Sequence, residues 1–533
     1  EVLTHTFGIA TTYLFISAAA PRWMDPDGAG GHGLGSAQEG NKEGELPSLS
    51  EVIGRIGMGP AQIKAVLVGG GVWLADGSEL LLISSVTMSV ADDWHLGGFE
   101  RGFVVTAVYM GILVGNLLSG PLGDYYGRRG LILLSYASIF GMSIISSFAM
   151  GVGSLASSRL LVGVAIGLGQ PTWNALGSEL TPADWRMATA TLAQLLFPLG
   201  EIYAALLLMQ DDPGLRDAHW RSLLRLGAIP SIVLLLASYL LLPESPSFLA
   251  LRGRKGDAQA VLAKMSRDNG GTLASVAFKT PATKPDEEVQ MSYLGTARAQ
   301  MDIVFGKHLL GSTIVVMYSC FVLNLAYFGS LFAFPQVLPL IFEQGSAASA
   351  LLVGALWEFP GFALAFFIGM HVPRKLAMKI YLVLSLVSFV MFATAAGNPQ
   401  RTYFMEAVLR VGYYGIKCFL NIGFVIVYQY SVEIYPTEAR ITGTAVNLAG
   451  GRLAGMLAPL LFEGLREVTH SKMPFFWTIA GAMVLNFGLV DSLRYETAGV
   501  TLPDRTEDLA FTTAVTSSYG STAGSASTAG AQP

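Results

Sequence analysis

Charge is what this chain has least of. Asp, Glu, Lys and Arg make up 13% of its 533 residues, against roughly 25% in a soluble globular domain. That deficit excludes a disordered chain and argues against a soluble enzyme. Cysteine is nearly absent: Cys320 and Cys418, both within apolar stretches, give no disulfide framework. No Asn-x-Ser/Thr acceptor occurs. The seven histidines are scattered, and no His/Cys/Asp group stands at metal spacing, so neither metal nor cofactor is expected. Basic residues form no face for nucleic acid. The glycine runs at 69–71 and 450–451 sit in no strand–helix alternation, which excludes a dinucleotide site and leaves close helix packing as their use. What abounds is apolar residue, at 52%, and the mean hydropathy is +0.51. The pattern is that of an all-α polytopic membrane protein.

Twelve apolar segments, each at least the ~20 residues that cross a bilayer, fall at 62–90, 99–119, 130–150, 154–177, 187–209, 219–242, 309–342, 348–370, 376–397, 402–431, 439–465 and 473–493. The predicted organisation is a flexible cytoplasmic segment (1–61), a six-helix half (62–248), a cytoplasmic loop (249–308), a second six-helix half (309–493) and a disordered tail (494–533). Residues 1–20 are moderately apolar but show no basic n-region or cleavage site of a signal peptide. In the central loop Ala258, Val261, Leu262 and Met265 recur at helical spacing, which predicts an amphipathic helix on the membrane surface or against the bundle. With both termini cytoplasmic, 22 Lys and Arg lie on that side and seven on the other, the sense of the positive-inside rule.

An internal repeat supports two related halves in pseudo-symmetric arrangement. Glu179, Pro182 and Arg186 after the fourth span recur as Glu433, Pro436 and Arg440 after the tenth, at one offset of 254 residues. Parallel repeats of this kind build transporters with a site between the halves. Between spans two and three runs Gly120-Pro121-Leu122-Gly123-Asp124-Tyr125-Tyr126-Gly127-Arg128-Arg129. Arg128 and Arg129 are suited to pair with carboxylates at neighbouring helix ends, Glu179 and Glu433. With Asp124, Arg186 and Arg440, they make a candidate cytoplasmic gate. A plain basic loop obeying the charge rule explains the same string.

These strings resemble the major facilitator superfamily. Gly-x-x-x-Asp-x-x-Gly-Arg-Arg is similar to its loop signature, and Arg159-x-x-x-Gly163-x-x-x-Gly167 to its fourth-helix signature. Pro243-Glu244-Ser245-Pro246 resembles the sugar-porter and organic-ion branches. The resemblance is closer to the synaptic-vesicle-protein-related transporters. It rests on Trp73-Leu-Ala75-Asp76-Gly-Ser-Glu79, Glu358-Phe359-Pro360-Gly361 and Glu433-Ile-Tyr-Pro436-Thr-Glu-Ala-Arg440. There are departures. Ser247 stands where the family often has Arg, and the second-half loop, His371-Val-Pro-Arg374-Lys375, lacks the Asp and Gly of the first. The resemblance implies a multi-pass carrier of plasma or vesicle membrane, a symporter moving a small organic ion by alternating access. Sugar or inorganic-anion transport on the same fold is the alternative, and a non-transporting receptor or scaffold is a different class. Charges kept in both halves favour transport.

Ionisable groups inside spans are costly and mark function or pairing. Asp76 and Glu79, three apart on the first helix, share a face. Mutual repulsion and an apolar setting both favour a protonated carboxyl, as proton coupling requires; a fixed pair with Arg159 is the competing reading. Glu201 and Glu358 lie inside the fifth and eighth spans, suited either to substrate contact or to helix–helix pairing. Arg410, Lys417 and Asn421 share one face of the tenth. Two cations there call for an anionic substrate group or for Glu201 and Glu358 as counter-charges, while Glu406 is one turn from Arg410. Lys417 stands where the related group carries Arg. Arg452 on the eleventh span also matches that group and is expected to have a structural partner. Trp73, Trp173, Tyr327, Phe328, Trp357, Tyr413 and Tyr428 are candidates to line a cavity for an organic ligand. The expected partners are a small-molecule substrate, the lipid bilayer and protons.

Overall fold

The computed structural model describes residues 46–271, 276–279, 298–341, 347–398, 402–436 and 439–497. The expected flexible lead-in through residue 45, much of the central loop and the tail from 498 lie outside the described residues. Among the described residues, twelve helices are long and apolar enough to cross a membrane. They are α1 (Pro60–Trp94), α2 (Gly98–Tyr126), α3 (Arg128–Ser146), α4 (Val152–Leu180), α5 (Ala183–Asp211) and α6 (Trp220–Leu241). The second set is α7 (Leu310–Ile341), α8 (Ala347–His371), α9 (Arg374–Ala396), α10 (Tyr403–Glu433), α11 (Thr442–Thr469) and α12 (Met473–Asp491). Several run a turn or more beyond the apolar windows, because hydropathy marks only the stretch in hydrocarbon while helix ends continue into polar contacts.

The neighbour pattern repeats in the two sets. α2 packs on α4 as α8 packs on α10, and α1 on α5 as α7 on α11. The sets meet along α2 with α11 and α5 with α8. Glycine permits the tightest crossings. A methyl at Gly111 would lie 2.0 Å from Leu160 O and one at Gly163 2.0 Å from Val108 O, so α2 and α4 touch backbone to backbone. Gly200 against Leu74 O (2.1 Å) does the same for α5 and α1, and Gly361 against Cys418 O (2.1 Å) for α8 and α10. Helix α1 breaks near Gly70, where the freed carbonyls find partners: Tyr136 OH donates to Val68 O at 2.6 Å and Ser238 Oγ to the same oxygen at 2.9 Å.

The amphipathic helix expected in the central loop is present as Lys255–Asp268. Ala258, Leu262 and Met265 are buried against the bundle end, and Asn269 beyond it accepts from Ala61 N at 2.9 Å. This helix packs against the start of α1 and the short helix Pro246–Leu251, so it lies at the basic end of the first half, the end that carries the α2–α3 turn.

Candidate functional site

Three helices bring charged side chains to one point in the middle of the bundle, and a fourth adds a tyrosine. Lys417 Nζ on α10 donates to Glu201 Oε2 on α5 at 2.6 Å and to Glu358 Oε1 on α8 at 2.5 Å. Tyr327 on α7 donates its hydroxyl to Glu358 Oε2 at 3.0 Å and lies 3.3 Å from Glu201 Oε1, with its ring 5.5 Å from the ammonium. All three ionic side chains are at most 5% exposed. Glu201 belongs to the first half and the other three residues to the second, so the cluster bridges the halves. The counter-charge reading of Lys417 is the arrangement found. One ammonium serves two carboxylates, an excess of one negative charge if both are ionised.

Arg410 is not part of it. It lies two turns along α10, its side chain 47% exposed, and pairs with Glu406 at 2.6 Å. A shared helix face fixes direction but not depth: two turns carry the guanidinium about 10.5 Å along the axis, toward the membrane surface.

Asp76 and Glu79 separate despite their common face. Glu79 is fixed within the first half: Arg159 Nη1 donates to its Oε2 at 2.6 Å and Ser143 Oγ to its Oε1 at 2.6 Å, while Arg159 also donates to Ser146. Asp76 instead reaches the interface between halves. Gln170 Nε2 donates to Asp76 Oδ2 at 2.7 Å, and Arg452 Nη2 on α11 donates to Gln170 Oε1 at 3.1 Å. Asp76 Oδ1 and the Tyr109 hydroxyl are buried without a hydrogen-bond partner among the described residues. Tyr109 stacks obliquely on Phe328 at 5.2 Å, which in turn touches Tyr327 at 5.3 Å, so aromatic rings connect the two polar clusters.

The other aromatic candidates divide. Tyr428 OH meets Asn324 at 3.2 Å beside this region, and the Trp73 indole nitrogen is buried without a partner among the described residues. Trp173 packs in the α1–α4 core beside Gly69, Tyr413 packs on Phe334 at 4.7 Å, and Trp357 is 44% exposed and stacked on Tyr414.

The residues of the expected gate stand at the basic end, each carboxylate paired within its own half. Arg128 holds Asp124 at 2.9 Å and Glu179 at 3.5 Å. Glu433 does not meet Arg128 or Arg129. It takes Arg374 in a two-pronged pair, both contacts 3.1 Å. Arg129 donates to Tyr239 O at 2.7 Å, Arg186 to Ser178 O at 3.1 Å and Arg440 to Tyr435 O at 3.3 Å. The second-half loop thus builds its counterpart without the missing Asp and Gly. A further correspondence was not read from the sequence. Glu244, following α6, accepts from Arg128 N and Arg129 N at 3.0 and 3.1 Å and so caps α3. Glu496, following α12, accepts from Arg374 N and Lys375 N at 2.8 and 3.1 Å and caps α9. Each supplies an anion to a helix N-terminus. Gly127 has φ +91°, and a methyl there would lie 2.5 Å from Glu244 Oε2, so both backbone and space demand glycine.

Sequence reasoning also missed the far end of the bundle, away from the basic loops. Arg101 on α2 pairs with Glu463 on α11 at 2.9 Å. Gly98 N donates to Glu467 Oε1 at 2.9 Å, Arg216 Nη2 to Pro339 O at 3.4 Å and Ala348 N to Pro213 O at 3.0 Å. An acid near the end of the eleventh apolar segment was the available signal. The described bonds between halves therefore gather at the middle and far end, which is closed. A cavity of about 370 Å³ also opens there, lined by Asp92, Asp93, Arg216 and Trp220, apart from the buried ions.

Among the described residues, twelve spanning helices in two matching sets, with ionic clusters buried where the sets meet, define a multi-pass membrane protein of major facilitator fold. The sequence pattern of the sugar (and other) transporter family matches residues 89–509, and the chain belongs to that family. It is 28% identical over 494 residues to organic cation/carnitine transporter 7 of Arabidopsis thaliana, covering 86% of this chain and 96% of that protein. It is 24% identical over 445 residues to the synaptic vesicle 2-related protein of Rattus norvegicus, covering 79% and 76%. In fold it is similar to the Escherichia coli xylose transporter XylE in a partially occluded inward open conformation. The TM-score is 0.66 at 19% identity, over 83% of this chain and 99% of that one.

Proposed function

We propose that the protein is a secondary active transporter that carries a small organic cation by alternating access and couples the movement to protons. The observation that carries this reading is Lys417 held between Glu201 and Glu358. A site with two carboxylates for one ammonium binds a second cation, and the nearby rings of Tyr327, Phe328 and Phe424 offer the faces that favour an organic one. The name of the Arabidopsis relative supports the same substrate class. Asp76, with one buried oxygen unpartnered, is the proposed proton carrier. Glu201, Glu358 and Lys417 are the proposed binding groups, and Arg128, Glu179, Arg374 and Glu433 the cytoplasmic gate. The basic end is proposed as cytoplasmic on the distribution of Lys and Arg, which makes this form inward-facing.

The test is uptake of radiolabelled tetraethylammonium, a hexose and sulfate by proteoliposomes holding the purified chain under an imposed proton gradient. The expected result is gradient-dependent tetraethylammonium uptake that Glu358→Gln reduces at least tenfold. Hexose or sulfate uptake without cation uptake would overturn the substrate class, and flux indifferent to the proton gradient would overturn the coupling.

A further inference from the structure

The far end is closed by a seam between α2 and α11 in which small residues let the helices touch. A methyl at Gly98 would lie 2.3 Å from Glu467 Oε1, and one at Gly102 3.1 Å from Pro459 O. Thr106 Oγ1 donates to Met456 O at 2.9 Å. At the mouth of the seam stands a group of charges. Arg101 Nη2 is 2.9 Å from Glu463 Oε2, with the arginine side chain 13% and the glutamate 1% exposed. Arg466 Nη1 lies 3.4 Å from the same oxygen. Lys472, at the start of α12, donates to Gln336 O on α7 at 2.5 Å and faces Glu463, Arg466 and Arg101. Glu463 Oε1, Arg101 Nε and Gln336 Nε2 are buried without partners among the described residues. One buried acid therefore sits among three cations, and only one of these, Arg101, comes from the first half.

We propose that Arg101 and Glu463 form the lock that holds the far end shut, and that Lys472 makes this lock respond to pH. The proposal rests on the transporter reading. Parting the seam removes Arg101 from Glu463, which costs the ion pair, but also from Arg466 and Lys472, which relieves repulsion. The balance depends on the charge of Lys472. Burial, then Arg466, and more weakly Arg101, push its ammonium down to about 8 against the upward pull of Glu463. In the parted seam Lys472 meets water and one cation fewer, so its affinity for a proton returns toward that of an ordinary lysine, about 10.4. Opening then takes up a proton. Linkage fixes the sign: the closed form gains nothing from this group below pH 8, gains as pH rises from 8 to about 10.4, and keeps that gain above it. Raising the far-side pH from 8 toward about 10 tightens the lock, and returning it to 8 loosens it again.

The experiment uses the full chain, with Cys320 and Cys418 replaced by alanine and Thr106→Cys added as a reporter inside the seam. Sealed cells are treated with a membrane-impermeant methanethiosulfonate at the far side, and the rate of labelling is measured. Arg101→Gln and Glu463→Gln should each raise the rate several-fold, and the double variant should be no faster than either, as expected when two groups act as one pair. Rates equal to the parent's, or effects that multiply in the double variant, overturn the lock. The pH arm leaves the lock intact and so does not depend on those variants folding. The parent's rate divided by that of Lys472→Met with the same reporter, a ratio in which thiol ionisation cancels, should exceed one at pH 7 and fall toward one by pH 9.5. A ratio flat across that range overturns the role of Lys472. The substrate assays above use no seam reporter, so loss of the transport reading would show as absent flux with labelling unaltered.

Discussion

Lys417 is the residue on which the buried centre turns. Its ammonium has two carboxylate partners and a tyrosine ring, and every one of these lies on another helix. Lys417→Ala would leave Glu201 and Glu358 facing each other in an apolar interior. Stranding one side of a buried ionic contact typically costs about 3–5 kcal/mol. The apo protein should therefore melt well below the parent in detergent, and adding Glu201→Gln or Glu358→Gln should recover part of the loss. Thermal unfolding of the single and double variants checks this. If Lys417 served only to hold an anionic substrate, the apo melting temperature would not move and the carboxylate changes would rescue nothing. Glu79 makes the contrast: with Arg159 and Ser143 it forms a complete pair inside one half, leaving no charge to be exchanged.

Among the elements, glycine-lined crossings decide how near the helices stand. At the α2–α4 crossing a methyl on Gly111 would press on the backbone of Leu160, which has no flexible end to yield. Overpacking of this kind costs roughly 1–3 kcal/mol, so Gly111→Ala should lower the melting temperature, whereas Gly141→Ala on α3, where nothing stands within 4 Å, should leave it unchanged. The spans themselves were legible because lipid demands long apolar helices, and the repeat at Glu179 and Glu433 correctly announced two halves. Single buried charges were legible too, since a Glu or Lys inside an apolar run is expensive. Their pairing was not. Lys417 and Glu201 stand 216 positions apart, and no local pattern encodes which helices meet. Arg410 was drawn into the site because helical periodicity reports direction and ignores depth. Glu433 was assigned to Arg128 across the halves, although Arg374, 59 positions away in its own half, is the arginine that reaches it. Arg101 and Glu463 escaped notice because a charge near a helix end looks like an ordinary interfacial residue until its partner across the seam is seen.

Across the whole molecule, the two buried clusters have different relations to the halves. Glu201 reaches across to Lys417 and Glu358 through direct ionic contacts. Among the described residues, the hydrogen bonds that link Asp76 across run through Gln170, a neutral amide that Arg452 holds from the other side. A direct contact with the substrate site must break and reform with each loaded crossing. Asp76 can instead gain or lose a proton while Gln170 keeps one of its oxygens occupied, because its second oxygen is unpartnered. That division predicts a separable phenotype. Asp76→Asn fixes the neutral form of the side chain in nearly the same volume. A carrier of this kind should still exchange bound solute, because exchange needs only the loaded molecule to cross. It should fail to accumulate solute against a gradient, because accumulation needs the proton to leave on one side. In proteoliposomes, counterflow of tetraethylammonium should persist within about twofold of the parent, roughly 0.4 kcal/mol in barrier height, while accumulation driven by a pH step should disappear. Loss of both together would make Asp76 a binding or structural residue, and retention of both would place the proton elsewhere in the bundle.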